Sequence, residues 1–348
     1  MAEEVVKAGA IEQLSICVQD PETSLKKVAT LALSEIAKHN PELAGKIAEN
    51  AGTLKSLTNS LKDRDLELRQ NTCLCLANIA KHSEELAQKV VAAELFPKII
   101  THCLKEEKKG LQRQAAQCIK EIASQNMELA KTVVAADAIG PMVDYLKKIQ
   151  GSGKLPAIMA LGFIAGFDPA MAKSVVQAKG HSALVDTLRG SPETHIKAAA
   201  AWSLGQIGKH SAVVGQELTK EKVLESLLEA FNQAEEKGDL QKKARRALKS
   251  MIEQCQEMSA LRPLLEAPEK IVKHVVAQMC NILKNKTNLK QEFAENGCLE
   301  RLQEIKAQPG SKLQTSINEI NALFPEDVVR YFTKDYMNTL IKQQEGFH

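Results

Sequence analysis

Cysteine and histidine are the residue types with the greatest capacity for chemistry in this sequence of 348 residues. Zinc and redox sites commonly use the CxxC spacing, and no two of the eight cysteines have it. Most of the cysteines lie among Leu, Ile and Ala, which is typical of reduced, buried thiols in a cytosolic protein. The cysteine pattern therefore predicts neither a metal site nor a disulfide framework.

Three of the eight histidines, His39, His82 and His210, each follow a lysine and recur with a repeating segment of about 43 residues. Because each belongs to a different copy of that segment, a single metal coordination sphere cannot include them. Their position at the end of an apolar helical pattern places positive charge at a helix C-terminus. Such a charge stabilises a helix by about 0.3 to 1 kcal/mol.

The segment GSGK at 151–154 resembles a phosphate-binding loop. It lacks the first glycine at the proper spacing, the following Ser or Thr and a preceding strand, so we predict a turn between helices. The sequence also has no HExxH, no GxSxG and no cysteine with a convincing histidine partner. These observations predict a protein that is not an enzyme and uses no cofactor.

The amino-acid composition limits the classes of partner that we expect this protein to bind. Hydrophobic residues make up 44% and charged residues 26%, which is ordinary for a soluble folded chain. The net charge of +3 and the 3% aromatic content give no strong field and few stacking surfaces, so we expect no nucleic-acid partner. No apolar run reaches 18 residues and the first 20 residues lack the pattern of a secretory signal, so we expect no membrane partner and a cytoplasmic location.

One segment returns five times along the chain. It reads LALSEIAKHNPELA at 31–44 and LCLANIAKHSEELA at 74–87, and the later copies follow at the same interval. Periods of about 40 to 47 residues are typical of armadillo and HEAT arrays. The copies are anchored on Ala37, Ala80, Ala123, Ala165 and Gly208.

Each repeat is predicted to contain three helices. Apolar residues from Leu25 to Ala37 follow the helical period, and an N-cap residue such as Asn40 then starts a short helix. A second apolar run, Leu54 to Leu61, completes the unit. Since HEAT units have two helices, we predict an all-α, right-handed superhelical solenoid of armadillo repeats, in which neighbouring units bury each other's apolar faces.

The repeats weaken toward the end of the chain. We predict about six armadillo repeats over 1–265, two degenerate repeats over 266–323 and an aromatic-rich cap or tail over 324–348. Val5 and Val6 match the end of a short helix, so the chain opens partway into a unit and exposes an apolar end face. We expect self-association through this incomplete first repeat, because terminal repeats normally need a polar outer side.

The long third helix of each armadillo unit lines a concave groove, which is the expected site for a protein partner. In nuclear-import adaptors of this fold, Trp and Asn four residues apart hold a basic peptide. Only Trp202 and Asn78 match that pair here, and they lie in different repeats. An alternative role for Trp202 is packing between units. We predict groove positions at Lys27, Leu31, Glu35, Lys38, Asn78, Lys81, Glu121, Phe163, Trp202, Gln206 and Lys209, and C-terminal docking positions at Tyr331, Phe332 and Tyr336.

Several segments resemble the sperm-associated antigen six family, armadillo-repeat proteins of the flagellar central apparatus. They are HIKAAAAWSLGQIGKHSA at 195–212, EIKAQPGSKLQTSINEINALFPEDVVRYF at 304–332, Tyr336 to Leu340 and the Lys-His repeat endings. The resemblance implies a structural protein of motile cilia and flagella, with axonemal central-pair and microtubule-associated proteins as partners. Family members carry additional N-terminal repeats, so it also implies a fragment or short form.

Two functions remain open at the level of the sequence. The first is an axonemal scaffold that docks on its partners through the groove and the tail. The second is a soluble transport or signalling adaptor that holds an extended cargo peptide in the groove. The incomplete Trp and Asn pairing disfavours the second function.

Overall fold

Helices account for the regular structure of residues 2–332, the part of the chain that this computed structural model describes, and no strand occurs among them. The chain divides into two compact units, with the boundary between Ile207 and Gly208. None of the helices in the described range is long and apolar enough to cross a membrane.

The first unit contains four complete repeats and parts of two others. Its helices are α1 Ala2–Lys7, α2 Ala10–Cys17, α3 Thr23–His39, α4 Pro41–Glu49, α5 Ala51–Ser60, α6 Leu66–Ala80, α7 Glu84–Ala92, α8 Lys109–Ala123, α9 Met127–Ala135, α10 Ile139–Lys148, α11 Leu155–Phe167, α12 Pro169–Gln177, α13 Gly180–Gly190 and α14 Thr194–Gly208. A π-helical turn lies at Ile100–Leu104 and a 3₁₀ turn at Gly151–Lys154.

The order of helices confirms three per repeat. A long helix (α3, α6, α8, α11 or α14) is followed by a short one, and a further helix then precedes the next long helix. In the second repeat that further helix is replaced by the π-helical turn, in which the Lys105 N–H donates to the Ile100 carbonyl at 3.2 Å. The segment GSGK forms a 3₁₀ turn between α10 and α11, in agreement with the predicted turn.

The short helices begin where the sequence predicts. The side chains of Asn40, Ser83, Asn126 and Asp168 each accept a hydrogen bond from the backbone N–H three residues later, at 2.7 to 3.2 Å. These contacts satisfy donors that the first turn of a helix leaves without a partner. The next short helix differs, because α15 begins at Ser211 and His210 is its N-cap residue.

One position of the long helices forms the centre of the core in every repeat of the first unit. Leu33, Leu76, Ile119, Leu161 and Leu204 occupy this position, and each is completely buried. Their spacing repeats the period of the sequence. The apolar side chains that define the repeat are therefore the ones that hold successive repeats together.

The second unit is less regular. Its helices are α15 Ser211–Lys220, α16 Val223–Gln233, α17 Asp239–Gln254, α18 Met258–Leu261, α19 Glu269–Asn285, α20 Leu289–Glu295, α21 Cys298–Glu304, α22 Lys312–Asn321 and α23 Glu326–Tyr331. Pro263 lies in a 3₁₀ turn, Arg262–Glu266, and Pro268 is the N-cap residue of α19, so the helices between α17 and α19 are short, as predicted. The domain limits at 265 and 323 stay a prediction.

Candidate partner-binding surface

The long helices of the first unit form a row, with α3, α6, α8 and α11 as successive neighbours and α14 packed on α11. Polar contacts fix their register. Asn78 Nδ2 on α6 donates to Ser34 Oγ on α3 at 3.0 Å, and Ser203 Oγ on α14 donates to the Ile158 carbonyl on α11 at 2.7 Å. The outward side of this row is the surface that the sequence assigns to a partner.

Two residues that follow long helices, His82 after α6 and Gln125 after α8, contact the long helix before their own. His82 Nε2 lies 2.6 Å from the Ala37 carbonyl, and Gln125 Nε2 donates to the Ala80 carbonyl at 3.0 Å. These carbonyls belong to the last turn, which has no partner within its own helix. The sequence predicted that His82 would act at the end of its own helix, whereas the ring contacts the helix of the preceding repeat.

One column of the predicted groove runs from Leu31, which is 44% exposed, to the half-buried Trp202. The Trp202 ring packs edge-on against Phe163, with the ring centres 5.0 Å apart and the planes at 68°. It also covers Gly162 on α11, whose missing side chain leaves room for the ring. The alternative role for Trp202, packing between repeats, is therefore present in the structure.

The amide of Asn78 is largely enclosed between the first two long helices, with 9% of the residue exposed. Its nitrogen donates to Ser34, and its oxygen accepts a bond from Lys81 Nζ at 3.3 Å. Lys81 Nζ also donates to the Lys38 carbonyl at 3.2 Å, and burial lowers its pKa. The Asn78 side chain is thus occupied by contacts within the array.

Four of the six charged groove residues, namely Lys27, Glu35, Lys38 and Glu121, are paired with opposite charges nearby. Lys38 Nζ lies 3.4 Å from a Glu35 oxygen, and Glu121 pairs at 2.6 Å with Lys120, which the sequence reasoning missed. Lys27 Nζ lies 3.0 Å from a Glu67 oxygen, and hydrogen bonds to Glu67 and then Asp65 raise the pKa of Lys27. Pairs of this kind leave the row of long helices without a dominant charge of either sign.

The remaining predicted positions do not form one cluster. Gln206 lies over Gly166, while Lys209 is exposed in the second unit. Tyr331 and Phe332 contact each other, with ring centres 5.2 Å apart, beside a cavity of about 530 Å³ that α20 and α23 line. Tyr336 lies outside the described residues.

The leading side of α3 exposes two apolar side chains. Val28 is 68% exposed and Leu25 is 37% exposed. The residues that match Leu25 in the next two repeats, Leu68 and Leu111, are completely buried. Both α6 and α8 pack against the long helix of the preceding repeat.

The cysteines do not assemble a site. All of them except Cys17 are buried, and burial raises the pKa of Cys75 to about 12. Burial also raises the pKa of Cys73 well above its usual value, together with a contact to Cys103. Within residues 2–332, no group of three or more His, Cys, Asp or Glu residues is arranged to hold a metal ion.

Comparisons with known sequences identify relatives along part of the chain. Sperm-associated antigen 6 from Homo sapiens is 41% identical over 161 residues, and that from Mus musculus is 40% identical over 161 residues. Each match covers 46% of this chain and 32% of the relative, so the chain spans about a third of the length of the curated relatives it matches. The family described as GCN1-like, C-terminal HEAT repeats, matches residues 26–161.

Comparisons with solved structures show the fold. An engineered protein aligns with a TM-score of 0.72 at 23% identity, over 92% of this chain and 80% of that chain. A designed armadillo repeat protein in complex with the peptide (KR)4 aligns with a TM-score of 0.64 at 25% identity, over 69% of this chain and 98% of that one. The chain is therefore an all-α armadillo-type solenoid whose sequence resembles sperm-associated antigen 6.

Proposed function

We propose that this chain is a non-enzymatic structural component of the axonemal central apparatus in motile flagella or cilia. The observation that carries the proposal is the 41% identity to sperm-associated antigen 6 over 161 residues. The row of long helices supports it, because a solenoid of this kind offers an extended surface to other proteins. Axonemal central-pair and microtubule-associated proteins are the proposed partners, in the cytoskeleton of the cytoplasm.

The partner surface that we propose is the part of the row that the array does not use for its own packing. Leu31, Glu35 and Lys38 are exposed on α3. Trp202 and Asn78, in contrast, are engaged between repeats. The exposed residues of α3 are therefore the proposed contacts, and Phe163 and Trp202 shape the surface further along the row.

Sedimentation with demembranated axonemes tests the proposal. The full chain should pellet with axonemes and stay there after detergent extraction. The double variant Leu31→Glu/Lys38→Glu should pellet several-fold less, while Lys89→Glu, an exposed change on α7, should behave as the original protein does. Complete release of the original protein by detergent would refute the axonemal assignment.

The alternative function, a soluble adaptor for an extended cargo peptide, has one supporting observation. A designed armadillo repeat protein of the same fold has been solved in complex with the peptide (KR)4. The groove of this chain does not offer a comparable series of Trp and Asn side chains to a peptide, because the Asn78 amide bonds to Ser34 and Trp202 covers Gly162. Nanomolar binding of a lysine-rich peptide to the full chain would favour the adaptor over the scaffold.

Self-association is the second interaction that we propose. Val28 and Leu25 leave apolar surface at the leading side of α3, whereas the residues that match Leu25 in the next two repeats are completely buried. A second copy of the chain offers a helical face of the same kind. Burial of this surface would remove apolar area from water at a gain of about 25 cal/mol per Å².

A further inference from the structure

The solvent-facing side of α17, in the second unit, is a stripe of positive charge. Lys242, Arg245, Arg246 and Lys249 are exposed and are spaced i, i+3, i+4 and i+7, which places them on one face of the helix. At 1.5 Å per residue they extend over about 10 Å. Within residues 2–332, no carboxylate lies within 4.0 Å of the charged groups of Lys242, Arg245 or Arg246.

The neighbouring helix α19 widens this stripe. It packs beside α17 and exposes Lys270 and Lys273. In α17 five Lys or Arg residues accompany two carboxylates, and in α19 three Lys residues accompany one, so the two helices together carry a net charge of +5. The whole chain carries +3. The positive charge of the protein is thus concentrated on these two helices, and the rest of the chain is net acidic.

A carboxylate of the protein already lies between the two helices. Glu253 Oε1, on α17, is 3.8 Å from Lys249 Nζ and 3.5 Å from His274 Nδ1 on α19. Burial lowers the pKa of His274, and the positive charges of Lys273, Lys249 and Arg245 lower it further against the attraction of Glu253. The side chains of α17 and α19 therefore form one electrostatic environment in which positive charge predominates.

We propose that the exposed faces of α17 and α19 dock an acidic, extended peptide segment of a partner protein. The inference rests on the proposed function as a protein-binding scaffold and specifies the chemistry of one ligand. Arg245 and Lys249 stand 43 residues after Trp202 and Gln206, so they hold the same places in the next repeat. Alternate side chains of an extended peptide lie about 7 Å apart on one side, a spacing that lets successive carboxylates reach cations along α17 and across to α19.

Protein is favoured over nucleic acid as the source of the negative charge. Neither α17 nor α19 contains a Phe, Tyr or Trp residue. Sites for single-stranded nucleic acid combine positive charge with aromatic rings on which bases stack. A surface that offers cations alone matches an acidic peptide better.

Fluorescence anisotropy with a labelled octaglutamate peptide and the full chain tests this assignment. We expect binding that weakens as salt rises, because the contacts are exposed charges. The variant Arg245→Glu/Lys249→Glu should bind at least about tenfold more weakly, since two attractions become repulsions. The variant Lys89→Glu/Lys173→Glu makes the same change in net charge on exposed residues of α7 and α12 and should bind as the original does.

Three outcomes would overturn the inference. They are equal binding of octaglutamate by the original chain and by Arg245→Glu/Lys249→Glu, binding of (KR)4 as tight as that of octaglutamate, and tighter binding of oligothymidine than of either peptide. Circular dichroism of each variant verifies that the helices have formed. An original chain that does not bind octaglutamate but still sediments with axonemes would likewise remove this assignment, and it would leave the proposed function intact.

Discussion

The contact between Trp202 and Gly162 predicts that one added methyl group has opposite effects on the stability of the protein at two neighbouring positions of α11. Replacing either Gly162 or Gly166 by Ala adds one methyl group to α11, at positions one turn apart. At Gly162 the new carbon would meet the Trp202 ring and, at 2.6 Å, the buried Ser203 Oγ. At Gly166 it would meet only the flexible Gln206 side chain, whose Oε1 lies 2.7 Å away.

Two opposing effects set the size of the change in the free energy of unfolding. Alanine is more favourable than glycine within a helix by about 1 kcal/mol, and somewhat less near a helix end such as Gly166. Overpacking against atoms that cannot move costs about 1 to 3 kcal/mol. Gly162→Ala should therefore destabilise the protein by about 1 kcal/mol, whereas Gly166→Ala should stabilise it by about 0.5 kcal/mol, because the Gln206 amide can rotate away.

Urea unfolding measures both variants. Trp202 is the only tryptophan in the chain, so its fluorescence reports on the region that the two changes perturb. The unfolding midpoint of Gly162→Ala should fall and that of Gly166→Ala should rise, with the slope unchanged. In the Trp202→Ala background, followed by circular dichroism, much of the penalty of Gly162→Ala should disappear.

A midpoint for Gly162→Ala at or above that of the original protein would refute this reasoning. So would an equal penalty of Gly162→Ala with and without the Trp202 ring. Either result would mean that the ring does not rest on α11. Trp202 would then be available to a ligand, as in the peptide-binding adaptors.

Three further predictions concern other parts of the first unit. Asp65→Ala should cost about 1 kcal/mol at neutral pH, because Asp65 caps α6 through the Leu68 N–H. That hydrogen bond lowers the pKa of Asp65. The stability that the cap contributes is therefore fully present above the unfolded pKa of about 3.9 and is lost as the pH falls through the lower folded pKa. The urea midpoints of the variant and the original protein should converge in acid, and a constant gap between them would contradict this reasoning. Val28→Glu should reduce self-association in sedimentation velocity, because Val28 is 68% exposed on α3. An original protein that is monomeric at all concentrations would contradict the proposed self-association through α3. In the native protein iodoacetamide should label Cys17 before Cys75, whose pKa is raised to about 12, and equal rates by peptide mass spectrometry would show that Cys75 is accessible.

Local features of the fold were predictable from the sequence. The N-cap contacts of Asn40 and Asp168 join groups three residues apart, so residue types and spacing suffice to place them. The helical period also identified the buried face, as Leu33 and its equivalents show. The turn at Gly151–Lys154 followed from the same local reasoning.

Contacts between repeats were not predictable in the same way. Asn78 and Ser34 are 44 residues apart, and whether their side chains meet depends on the rotation of α6 against α3. The sequence therefore assigned Asn78 to a groove without its internal partner. Only paired substitutions across related sequences could have signalled such a contact.

The second repeat shows a different limit. Its segment from Leu95 to Leu104 is apolar enough for an ordinary helix, and the sequence predicted one. The turn that follows Pro97 adopts a π-type hydrogen bond, from the Lys105 N–H to the Ile100 carbonyl. The apolar residues Ile99 and Cys103 are nevertheless buried, so the packing was predictable although the backbone geometry was not.

The contacts of His82 with Ala37 and of Gln125 with Ala80 mean that the second and third repeats each supply a polar partner for the last turn of the long helix before them. At the short helix of the second repeat the exchange runs the other way, because Thr58 Oγ1 of the first repeat donates to the Ala93 carbonyl at the end of α7 at 2.6 Å. If the second repeat melts, the last turn of α3 is left with a bare carbonyl, and if the first repeat melts, the end of α7 loses a donor. The first two repeats are therefore linked in both directions, so melting of either one should weaken a helix end of the other.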